Sequence, residues 1–232
     1  MIGILVQLIL SAALLWFLQK KSLMVLCGGG MKQQSTDFFG FFLLTLLISS
    51  SQYFFRMIWA MERWVVNPKV SIALIAEGTW WNIKSVLFEE LIFRGALFYI
   101  LIVRLGIKWA ILLSSISFGV YHWFSHGVLG QPIPMIVEFL TTGIMGVVYA
   151  LGYTKTGSLL TPIGIHLGWN IVGSVLFSGK LIGDQLLVEV QPVPNVQVSY
   201  FIYFVIIYLP LLAAIGVNAW ILLKRPTFSF NT

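Results

Sequence analysis

Apolar residues run along this chain in long blocks, not in the alternation of a half-buried strand. Blocks at 2–19, 38–60, 79–104, 107–123, 134–153, 157–177 and 199–223 reach or approach the ~20 residues that a helix needs to cross a bilayer core. The pattern predicts an all-α fold, a polytopic membrane helix bundle of about seven transmembrane helices, with 1–232 as a single transmembrane domain. A membrane β-barrel does not fit, because its strands alternate. Between the blocks, Gly28-Gly29-Gly30 through Asp37 is predicted to be a flexible connector, Asn67-Pro68-Lys69 a turn, and 70–78 a short interfacial helix. Leu129-Gly130-Gln131-Pro132-Ile133-Pro134 is expected to break the chain. The segment 178–198, with Gly179, Gly183, Pro192 and Pro194, reads as a loop; a lone strand at Leu186–Val190 would be marginal. Lys20-Lys21 follow the first block, whereas a secretory signal has its positive charge in front. The first block is therefore expected to be a retained span.

Composition agrees with this class. Of 232 residues, 59% are hydrophobic and 9% charged, against roughly a quarter charged in soluble domains. The net charge of +6 does not indicate nucleic acid, since the basic residues sit mostly beside block ends. Lys20, Lys21, Lys32, Lys108, Lys155, Lys224 and Arg225, with Arg104 at the edge, fall in alternate connectors and the C-terminal tail, opposed only by Asp37. The other connectors are near neutral, and Arg56 is a mild exception. Positive charge then places the N-terminus outside and the C-terminus in the cytoplasm. The single cysteine, Cys27, allows no internal disulfide and has no thiol partner for a metal site.

Against this background, charged groups inside the blocks are costly and mark a functional site. The third block carries Glu89, Glu90 and Arg94. Glu90 and Arg94 stand at i,i+4 with the acid first, the favourable order for a structural pair on one helix face. Glu89 is rotated by about 100° from Glu90 and is left free to meet a group from another helix. The fourth block carries Phe118 and His122 on one face, and the sixth His166 and Asn170. Glu89 lies 15 residues before Arg104, His122 14 after Lys108, and His166 11 after Lys155. At ~1.5 Å per residue these are about 22, 21 and 16 Å from one membrane surface, so three helices put ionisable groups in one layer. His126 falls past its block and reads as a loop residue. Glu138 reads as interfacial, and Trp80, Trp81, Trp109, Trp123 and Trp220 as an interface belt.

Peptide hydrolysis needs an activated water and donors for an oxyanion. Glu89 beside His122 can orient and deprotonate a water, and His166 with Asn170 can donate to the oxyanion. Glu89, His122 and His166 could instead hold zinc, but the His-Glu-x-x-His signature is absent. No cofactor is the favoured reading, with zinc as the alternative. A serine nucleophile is not indicated, since no Gly-x-Ser-x-Gly occurs.

Glu-Glu-x-x-x-Arg (89, 90, 94), Phe-x-x-x-His (118, 122) and His-x-x-x-Asn (166, 170), in this order on separate apolar segments, resemble the CPBP (Abi, CAAX-protease-type) intramembrane endopeptidases. The likeness covers about 85–175, and 79–177 is the expected catalytic core. It implies a membrane-embedded cavity, a water held by Glu89 and His122, an oxyanion site at His166 and Asn170, and support from Glu90 and Arg94. The family has also been described as metalloproteases. Eukaryotic members trim prenylated CAAX tails; many bacterial members act on other peptides or serve in bacteriocin self-immunity, and this short chain is more similar to those. The resemblance therefore implies a multi-pass protein of a bacterial plasma membrane, acting on a membrane-associated peptide or protein. The rival is a non-catalytic membrane protein, either a proton or ion relay or an immunity or scaffold protein. On the side of opening, the spacing puts the site nearer the outer face, whereas CAAX-type relatives imply a cavity open to the cytoplasm.

Overall fold

The structure is a computed structural model and describes residues 2–178, 182–192 and 196–230. Gly179 and Pro194 of the predicted loop lie outside these. The helices are α1 (Ile2–Gln19), α2 (Met31–Trp59), α3 (Ile72–Phe93), α4 (Ala96–Leu105), α5 (Ile107–Ser125), α6 (Pro132–Thr156), α7 (Leu160–Ile171) and α8 (Tyr200–Leu223). They form an all-α bundle in which α5 packs most extensively on α6, and α7 on α2. Four of them, α1, α2, α6 and α8, are long and apolar enough to cross a membrane. Large apolar side chains such as Phe17, Leu47, Leu140 and Phe201 stand exposed on the outer faces. A surface of that kind is a liability in water and the normal face toward lipid. The chain is an integral membrane protein.

A helix stands at each of the predicted places, but the predicted span 79–104 is divided. Arg94 leaves helical geometry at φ −127° and ψ 5°, and Gly95 follows at φ −79° and ψ −141°. A Cβ at Gly95 would collide with the Leu91 carbonyl, so the bend requires glycine. The Ser114 hydroxyl of α5 donates to the Phe93 carbonyl at 2.7 Å, satisfying the broken helix end. Hydrophobicity runs through α3 and α4 alike, which is why the pattern showed a single span.

Three further boundaries differ from expectation. Residues 72–78 are not a separate interfacial helix but the first turns of α3, capped by the Ser71 hydroxyl accepting from Leu74 N–H at 3.1 Å. Trp80 and Trp81 therefore lie inside α3 and not at its end. Residues 31–37, expected as connector, open α2. The Gln34 amide there donates to the Cys27 and Gly29 carbonyls at 3.0 and 2.9 Å. Their polar side chains lack an apolar face and so read as loop. Pro132 occupies the first turn of α6, where its missing N–H leaves nothing unpaired, so the break at 129–134 ends earlier.

The lone strand has a partner. Leu187–Glu189 pairs antiparallel with Trp64–Val66, Val65 opposite Val188. So short a ribbon is marginal alone; Tyr53 of α2 stacks on Phe177 beside it at 4.2 Å between ring centroids. The core is continuous around α4, α6 and α7, where Phe98, Ala150 and Tyr153 are fully enclosed.

Candidate active site

Glycine spacing sets the orientation of α7. A Cβ on Gly164 would lie 2.6 Å from the Phe38 carbonyl, and one on Gly168 2.5 Å from that of Phe42. Small residues at this interval let α7 approach the α2 backbone directly. His166 and Asn170 follow each glycine by two positions, a rotation of about 200°, and both line a cavity on the other side of α7. Below them α7 continues into a π-helical turn, Val172–Leu176, a feature common beside functional sites. The Ser174 hydroxyl there donates to Asn82 of α3 at 3.0 Å.

The cavity measures ≈ 760 Å³ and holds Glu89, His122, His166 and Asn170 among its lining residues. Sequence positions 77 residues apart thus meet at one place, carried by α3, α5 and α7. Glu89 Oε2 stands 3.9 Å from His122 Nε2 and 3.8 Å from His166 Nε2. Both separations exceed a hydrogen bond, and this oxygen is buried without a hydrogen-bond partner among the described residues. Glu90 Oε2 is also buried without such a partner, but Glu89 Oε2 alone stands between two imidazole nitrogens, and a group so placed calls for an explanation.

The two imidazoles are held differently. His122 Nδ1 is 2.8 Å from the Phe118 carbonyl one turn back. A carbonyl only accepts, so Nδ1 carries the proton and Nε2 faces Glu89 as an acceptor. Phe118 also lies edge-on to the His122 ring at 4.5 Å, which accounts for their expected shared face. His166 Nδ1 is 2.8 Å from Glu90 Oε1, and Tyr149 stacks on the ring at 4.7 Å with a 15° tilt.

Glu90 and Arg94 form the expected pair at 3.2 Å, and both are 0% exposed. Arg94 does more than neutralise its own helix. Its second guanidinium nitrogen donates to the Gly146 carbonyl at 3.0 Å, and the group lies over the Phe118 ring at 4.3 Å. Glu90 therefore links Arg94 to His166, a connection the sequence reading did not contain. Tyr149 was missed as well; a tyrosine hydroxyl one turn after Gly146 in an apolar helix was the available signal.

His126 lies just past the end of α5, as expected, and its partner there is Glu138. They pair at 2.8 Å across the cavity rim, joining the end of α5 to α6. The hydrogen bond to Glu138 raises His126 above the ordinary histidine value, with burial opposing it. A raised histidine adds stability that is complete below pH ~6.5 and lost as pH climbs through the raised value. The native chain is expected to lose its thermal-stability advantage over His126→Leu across that window. The effect should stay below about 1 kcal/mol, since the His126 side chain is half exposed. A melting-temperature difference flat from pH 5 to pH 9 would show that the pair contributes nothing.

Zinc would have to sit among these same atoms. Ligands on one tetrahedral zinc, with bonds near ~2.1 Å, lie about 3.4 Å apart, whereas these stand 3.9 and 3.8 Å apart. Among the described residues, no group of three or more His, Cys, Asp or Glu side chains is placed to hold a metal ion.

Residues 71–172 match the family model described as Rce1-like, type II CAAX prenyl endopeptidase. The matched segment contains all three motifs, consistent with the CPBP resemblance. No curated protein and no solved structure matches the chain.

Proposed function

We propose, from the match of residues 71–172 to the Rce1-like CAAX endopeptidases, that this chain is an intramembrane endopeptidase cutting a membrane-associated peptide or protein. The catalytic core is then 79–177. The observation that carries the reading is Glu89 Oε2, buried and unpaired between two imidazole Nε2 atoms on other helices.

A water between Glu89 and His122 can donate one hydrogen bond to each, bridging a separation too long for direct contact. As the water attacks the scissile carbonyl carbon, its proton passes to Glu89 and the C=O electron pair moves onto oxygen. That oxyanion accepts from His166 Nε2–H and the Asn170 amide. For Nε2 to donate while Nδ1–H stays on Glu90, the His166 ring must carry both protons, and Glu89 and Glu90 together balance that charge and Arg94. Collapse of the intermediate breaks the C–N bond, and the amine leaves with the proton held by Glu89. Each oxyanion donor of this kind contributes about 3–4 kcal/mol to the transition state.

The cavity lining also speaks for a protease over a relay. A relay needs a polar route to both faces, whereas the lining residues come from one end of the bundle and the enclosed Phe98 and Tyr153 lie toward the other.

The test uses purified chain on a synthetic peptide library read by mass spectrometry. Defined cleavage products are expected, unchanged after exhaustive chelation and without stoichiometric zinc in the protein. Activity lost on chelation and restored by zinc would reverse the choice of a metal-free water.

A further inference from the structure

We propose that the cavity opens at the extracytoplasmic face, and that its substrate is a peptide segment presented at the outer surface of the membrane. The substrate part rests on the protease reading; the direction of opening does not.

The cavity is built from matching ends of six helices. Gln52 is near the end of α2, Trp81 in the first half of α3, Ser125 at the end of α5, Glu138 in the first turns of α6, Gly173 just past α7, and Tyr208 in the first half of α8. These ends are joined by the connectors 60–71, 126–131 and 177–199. The paired strands and the His126–Glu138 contact lie at this same end. The rim is polar, with Gln52, Ser125, His126, Glu138 and Thr141 exposed to the cavity, as a mouth that admits water and peptide would be.

The other end is closed. Phe228 lies against Gly28 and Gly157, and Phe230 stacks on Tyr153 at 5.7 Å between ring centroids. Arg225 pairs with Asp37 at 2.7 Å, and Lys155 donates to the Arg225 carbonyl at 3.1 Å. The C-terminal segment thus fastens the starts of α2 and α7 and the ends of α6 and α8 over the enclosed core.

Charge assigns the faces. The closed end bears Lys20, Lys21, Lys32, Arg104, Lys108, Lys155, Lys224 and Arg225. The cavity end bears Arg56, Arg63 and Lys69, with Lys84 further along α3 beside the lining residues Asn82 and Ser85 and Lys180 in the third connector by sequence, five against eight, and Arg56 there is paired with Glu62 at 2.9 Å. Lysine and arginine near span ends stay cytoplasmic, so the closed end is inside and the mouth is outside. A cytosolic CAAX tail would meet the sealed end; an exported peptide, or the outer tail of another membrane protein, would meet the mouth.

Cys27 is the single cysteine, exposed at the closed end, so the native chain reports that face without any substitution. Leu129, 55% exposed between α5 and α6, reports the mouth. Intact cells are treated with a membrane-impermeant maleimide. Native Cys27 is expected to stay unlabelled until the cells are permeabilised, whereas Leu129→Cys and Ser125→Cys, each with Cys27→Ser, are labelled at once. Labelling of Cys27 in intact cells, with Leu129→Cys silent until permeabilisation, would overturn the outward opening. The readout requires no cleavage, so a chain that cuts nothing but labels as expected would sink the protease reading and keep the direction of opening.

Discussion

Glu89→Gln is expected to leave the chain folded and to lower peptide cleavage by about a thousandfold, the middle of the range for a lost general base. That corresponds to about 4 kcal/mol of transition-state stabilisation. Glutamine keeps the shape and one oxygen acceptor but cannot take the proton from water. Folding should survive because Glu89 Oε2 has no hydrogen-bond partner among the described residues and the nearest imidazoles stand 3.9 and 3.8 Å away. A monodisperse variant on a sizing column with undiminished cleavage would remove Glu89 from the chemistry.

The second large effect belongs to Arg94. Its guanidinium is fully enclosed, paired with Glu90 at 3.2 Å and bonded to the Gly146 carbonyl at 3.0 Å. Arg94→Ala leaves a buried carboxylate and a buried carbonyl without that partner, and opens a void beside Phe118. Breaking a buried pair from one side costs about 3–5 kcal/mol. Expression and melting temperature are both expected to fall, and activity with them, because Glu90 also holds His166 Nδ1 at 2.8 Å. If Arg94→Ala were as stable as the parent yet inactive, Arg94 would have to act on substrate directly.

The site was legible where polar side chains interrupt apolar runs. Glu89, His122, His166 and Asn170 are polar groups in apolar blocks at similar depth, and the cavity contains all four. The Glu90–Arg94 pair was legible because i,i+4 spacing is local. Glu90 to His166 was not, since only the fold brings α3 and α7 together. The break at Gly95 was hidden because hydropathy is blind to a helix end that another helix covers, here through Ser114. Leu187–Glu189 read as part of a loop because its strand partner, Trp64–Val66, is three residues inside a connector with no alternation of its own. Residues 31–37 show the opposite failure. Their side chains look like a loop, and what makes them helix is tertiary: Asp37 is buried against Arg225 from the far end of the chain.

The most direct measurement compares membrane-associated peptides, by mass spectrometry, from cells carrying the native chain and cells carrying Glu89→Gln at equal abundance. The expected result is a specific set of peptides cut in the first cells and intact in the second. Identical peptide sets in the two, with both proteins folded and in the membrane, would contradict an endopeptidase at this site.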